Sequence, residues 1–71
     1  MTTYTVIIKN AIINKEVMRI ETDNLDLALS EAQHMSRRQG NASVYDNSSQ
    51  AEIARFRYGV EEFRRTPEGT T

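Results

Sequence analysis

A chain of 71 residues makes one domain, and one without cysteine has neither a disulfide nor a thiolate metal site to staple it. A domain this small buries only about 60% of the surface its unfolded form exposes, so it depends on packing, on a partner or on self-association. Nine basic side chains against ten acidic ones give a net charge of −1, which excludes a strongly basic nucleic-acid binder and an acidic mimic of DNA alike.

Taken in chain order, Tyr4 to Lys9 is rich in β-branched and aromatic residues and reads as a first strand. Asn10 to Lys15 is ambiguous: Asn10 and Asn14 signal turns, while Ile12 and Ile13 suit an extended strand or a packed loop. Glu16 to Thr22 reads as a second strand with Val17, Arg19 and Glu21 on one face and Met18, Ile20 and Thr22 on the other. Two consecutive strands with a short connection form an antiparallel hairpin most simply.

The helix has the clearest signals. Asp23 or Asn24 supplies an N-cap, and Asp26 adds negative charge to the first turn. Leu25, Ala28, Leu29, Ala32, Met35 and Ser36 form a narrow stripe at helical spacing. Arg37 and Arg38 suit the C-terminal end of the dipole, and Gly40 is placed to close the helix in the left-handed conformation.

Ala42 to Asp46 reads as a third strand, Asn47 to Gln50 as a polar turn, and a fourth strand starts near Ala51. Gly59 marks a bulge or the strand end, with Val60 to Phe63 able to continue the pairing. The expected fold is therefore α+β, in the order ββαββ: a four-stranded antiparallel sheet with one helix on one face. Residues 1–63 form the single domain, and residues 64–71 a flexible polar C-terminal tail.

One helix covers one face. The expected covered side takes Tyr4, Val6, Ile8, Met18, Ile20, Val44, Ala54, Phe56 and Tyr58. The open side takes Thr5, Ile7, Lys9, Val17, Arg19, Glu21, Ser43, Tyr45, Ile53, Arg55 and Arg57. Such a mixture of cations and apolar groups on an uncovered sheet face points to binding. The strand Ile53-Ala54-Arg55-Phe56-Arg57-Tyr58 concentrates it, because alternation sends Arg55 and Arg57 outward and Phe56 and Tyr58 inward. The candidate partner-binding residues are Lys9, Arg19, Tyr45, Ile53, Arg55 and Arg57, with Arg37 and Arg38 at the helix end. A competing structural role for Arg55 and Arg57 is cross-strand pairing with Glu21 or Asp46.

Catalysis finds little support in the residues. The single histidine, His34, projects opposite the helix stripe within reach of Glu31, and capping accounts for Asp23 and Asp26. No nucleophile, phosphate-loop or metal-ligand spacing is evident, so the chain reads as a non-enzyme with no cofactor and no metal. The longest apolar runs, such as Val6-Ile7-Ile8, are too short to span a bilayer, and the N-terminus lacks a signal-peptide pattern, so the expected setting is the cytoplasm. Charge is uneven: six arginines and four acids lie between Gln33 and Arg65, against three basic and five acidic residues up to Ala32. A local basic patch is thus compatible with the near-neutral total, although that total predicts weak non-specific affinity for nucleic acid.

Two resemblances add expectations. Asn24-Leu25-Asp26-Leu27-Ala28-Leu29-Ser30-Glu31-Ala32 resembles the helix start of HicB-type antitoxins, which share the strand, strand, helix order; the glycine- and proline-bearing loop typical before that helix is missing. The layout as a whole, with a late hairpin of Ser43-Val44-Tyr45-Asp46 and Ile53 to Tyr58, is similar to small phage-encoded anti-CRISPR proteins in element order. That resemblance implies a non-enzymatic inhibitor that occludes a surface of a host nucleoprotein complex. The expected partner is a protein or ribonucleoprotein; direct nucleic-acid binding and an antitoxin-like homodimer through open faces or edge strands are the alternatives.

Overall fold

The computed structural model describes residues 2–65. Five strands and one helix follow in the order β1 (Tyr4–Asn10), β2 (Lys15–Thr22), α1 (Leu25–Gln39), β3 (Gly40–Asp46), β4 (Ala51–Arg57) and β5 (Val60–Arg64). All pairings are antiparallel, in the spatial order β2-β1-β3-β4-β5. The α+β class and the single helix follow the sequence pattern, but the sheet has five strands rather than four. The fifth begins immediately after Gly59 and includes Arg64, which the sequence pattern assigns to a tail; residues 66–71 of that expected tail lie outside the described residues.

The connections explain these boundaries. The turns after β1 and β3 are built alike. Asn10 Oδ1 accepts the backbone N–H groups of Ile12 and Ile13, and Asp46 Oδ1 accepts the backbone N–H and the hydroxyl O–H of Ser48. Each turn closes on a residue in the left-handed region, Asn14 (φ 56°) and Gln50 (φ 58°), whose N–H bonds back to the carbonyl of Asn10 or Asp46. The third connection is a two-residue turn at Tyr58 and Gly59 with positive φ at both (49° and 83°), the handedness that matches a twisted hairpin. Tyr58 therefore sits at a loop tip, 58% exposed, instead of in the core where strict alternation puts it.

The helix starts at Asn24, whose side-chain oxygen accepts the N–H of Leu27, and ends at Gly40, whose N–H reaches the carbonyl of Ser36. It lies chiefly over β1 and β3. Its small buried residues Ala28, Ala32 and Ser36 let it approach Tyr4, Val6, Ile8, Ala42, Val44, Ile53, Ala54 and Phe56. Met18, on edge strand β2, lies beyond the helix and remains 43% exposed, a second departure from the expected core.

Three one-residue register shifts interrupt the sheet. On β2, Ile8 pairs with Met18 but Lys9 pairs with Glu16, so Val17 is the extra residue. On β4, Val44 pairs with Ala54 but Tyr45 pairs with Glu52, so Ile53 is extra. On β5, Arg55 pairs with Phe63 but Phe56 pairs with Glu61, so Glu62 is extra. A bulge of this kind breaks the two-residue alternation. Ile53 and Ala54 are both buried as a result, and Ile53, only 2% exposed, belongs to the core and not to the open face.

Candidate binding face

Strand pairing sets opposed residues on the same face, so the register defines the side of the sheet away from the helix. It consists of three rows. The first runs Glu21-Thr5-Tyr45-Glu52, the second Arg19-Ile7-Ser43-Arg55-Phe63, and the third Glu16-Lys9-Asn41-Arg57-Val60. Lys9, Arg19, Tyr45, Arg55 and Arg57, singled out from the sequence, come together here. Ile53 does not, because the β4 bulge turns it into the core. Arg37 and Arg38 do not either. They close the last turn of the helix on the covered side, where Arg37 lies so near the β4–β5 turn that a Cβ at Gly59 would fall 2.6 Å from its Cγ.

Each bulge also creates an ion pair. In an unbroken strand, residues i and i+3 point to opposite faces; an inserted residue brings them onto the same one. Glu16 and Arg19, Glu52 and Arg55, and Glu61 and Arg64 are all pairs of this spacing, and each spans a bulge. Arg19 and Arg55 grip their carboxylates with two nitrogens each, at 3.0 and 3.3 Å for Glu16 and 2.8 and 3.2 Å for Glu52. Arg55 accordingly pairs along its own strand and not with Glu21 or Asp46, the cross-strand partners that the sequence suggested.

These pairs shape the electrostatics. The hydrogen bond from Arg55 holds the Glu52 carboxyl below its usual value against the opposing effect of partial burial, and Ser43 adds a second donor. Arg19 lowers the exposed Glu16 in the same manner. The Arg55 guanidinium also lies 5.5 Å from the centroid of the Phe63 ring, within cation–π range. Arg55 is thus fixed between a carboxylate and an aromatic face, toward the β5 end of the second row.

The sequence reading missed Phe63, Val60, Glu16 and Glu52 as members of the face. The signal for the last two was present as a repeated spacing, Glu16-Val-Met-Arg19, Glu52-Ile-Ala-Arg55 and Glu61-Glu-Phe-Arg64. Among the described residues no cluster of three His, Cys, Asp or Glu side chains is placed to hold a metal ion, and no helix is long and apolar enough to cross a membrane. Scans against protein-family models, curated proteins and solved structures return no match, so the face is interpreted from its own chemistry.

Proposed function

We propose that the chain is a non-catalytic binding module that docks its open sheet face on a protein surface. The observation that carries this reading is the composition of the uncovered face: Ile7, Tyr45 and Phe63 are half-buried among the exposed Arg19, Arg55 and Arg57. Aromatic and arginine side chains are the types that anchor protein interfaces, and a bidentate or stacked arginine loses little further freedom on binding. The working form of this activity is occlusion of a surface on a larger assembly, in keeping with the inhibitor mode that the resemblance to anti-CRISPR proteins implies.

Charge favours a protein partner over nucleic acid. In the three rows four cations (Lys9, Arg19, Arg55 and Arg57) stand among three carboxylates (Glu16, Glu21 and Glu52), and two of the arginines are already paired. A phosphate-binding face draws its affinity from an excess of cations free to displace counterions.

The test is affinity capture with the tagged chain beside the variant Arg55→Glu plus Arg57→Glu. Wild type should retain a partner that the variant loses, with the same far-UV circular dichroism; equal capture by both removes the face from consideration. A parallel gel shift with single- and double-stranded DNA and RNA at low salt should show no retardation. A salt-sensitive shift there would replace the protein reading with a nucleic-acid one.

A further inference from the structure

The two edges of the sheet are not equivalent. β5 is short, carries Glu61 and Glu62, and is interrupted by its bulge at Glu62, features that discourage pairing with another strand. β2 is eight residues long and exposed along most of its length, and from Met18 to Thr22 it pairs with β1 in unbroken register. It contains no proline, and its own bulge, at Val17, leaves the five residues that follow it regular. The helix leaves the Met18 end of this strand uncovered.

We infer that the outer edge of β2 pairs antiparallel with β2 of a second copy, about a two-fold axis at Ile20. The register follows from geometry and charge. Opposed residues in an antiparallel ladder must match in the direction of their backbone N–H and C=O groups, so the axis falls on a residue and not between two. An axis at Arg19 sets Arg19 against the partner's Arg19, and one at Glu21 sets Glu21 against the partner's Glu21; like charges directly opposite destabilise a ladder. An axis at Met18 runs the pairing into the bulge at Val17.

An axis at Ile20 uses the five regular residues and no others. It opposes Ile20 to the partner's Ile20, covers Met18 with the partner's Thr22, and sets Arg19 against the partner's Glu21 on the open face, twice by symmetry. Arg19 and Glu21 are both exposed and flank the axis. The product is one continuous sheet, with the two open faces side by side on the same surface. The contact is smaller than the roughly 800 Å² per partner of a stable interface, so dimerisation depends on concentration in the micromolar range and above.

Size-exclusion chromatography with light scattering, run from micromolar to about 1 mM chain, tests this. Wild type should rise from the 8.1 kDa of one chain toward twice that mass. Arg19→Glu alone and Glu21→Arg alone should each weaken the dimer about tenfold or more, since each places like charges opposite one another at two positions. Mixing the two single variants should produce a heterodimer, and the double variant Arg19→Glu/Glu21→Arg should dimerise as wild type does. A wild type that stays monomeric throughout overturns the inference. So do single variants that dimerise normally, or a mixture and a double variant that fail to recover the dimer while circular dichroism shows the fold intact. Because Arg55 and Arg57 lie on β4, the outcome is separable from that of the capture experiment.

Discussion

The two faces of the sheet are made from the same strands and obey opposite rules. On the helix side, Val6, Ile8, Val44 and Ala54 are fully buried, and the space between sheet and helix is filled by small residues of α1. On the other side, residues one position along the same strands form ion pairs, a cation–π contact and half-exposed apolar positions. The first face carries the stability of a domain that has little to spare. The second is free to carry recognition, because few of its side chains are needed to hold the fold.

Two isoleucines break or confirm that division most directly. Ile53→Ala empties a site in the core and should cost about 2–5 kcal/mol, a large share of the stability of so small a domain. Ile7→Ala removes the same atoms from the open face and should cost about 1 kcal/mol or less. Urea denaturation of both variants measures the difference, and equal losses would mean that the open face is structural as well.

Gly40 sharpens the picture at the point where helix and sheet are joined. It has φ +110°, and a Cβ there would lie 2.4 Å from the Cβ of Ala11. Gly40→Ala should therefore destabilise by about 1–3 kcal/mol, seen as a lowered melting temperature with the open-face ion pairs unaltered.

The smallest effect is expected on the open face itself. Glu52 has its carboxyl pKa lowered by Arg55, so its contribution is present above the ordinary value of 4.5 and is lost as pH falls through the depressed folded-state value. For an ion pair this exposed the contribution is about 1 kcal/mol or less. Glu52→Gln should melt slightly below wild type at pH 7, and the gap should close as the pH is taken below 4.5. A gap that persists into strong acid would assign Glu52 a role other than its charge.

Much of this arrangement was legible in the residues. The helix stripe from Leu25, a cap at Asp23 or Asn24 and the Gly40 terminus are local signals; the structure places the stripe and the terminus where the pattern does and puts the cap at Asn24. Alternation along β1 correctly separates Tyr4, Val6 and Ile8 from Ile7 and Lys9 because β1 contains no extra residue. It misleads at Ile53 because a bulge is a property of two strands in register, and one strand read alone does not display its partner. The fifth strand was obscured for a similar reason: Tyr58 looks like a core aromatic until Gly59 is recognised as the second residue of a tight turn. The glutamate and arginine three apart were the available clue, since opposed charges at that spacing share a strand face only when a residue has been inserted between them.

The position of β1, between a neighbour next to it in sequence and one far from it, has a consequence for how the chain assembles. Its neighbour on one side, β2, follows directly in sequence, but its neighbour on the other pairs Tyr4 with Asp46 and Asn10 with Gly40. The first hairpin is therefore complete as a segment before the strand and helix that shelter Val6 and Ile8 have been synthesised. Joining β1 to β3 closes a long loop for each contact formed, the kind of event that slows folding. A hairpin that precedes α1 and β3 in the chain is thus secured only after both have formed, and the speed at which the helix delivers β3 to its side sets how long its apolar face stays open to other chains.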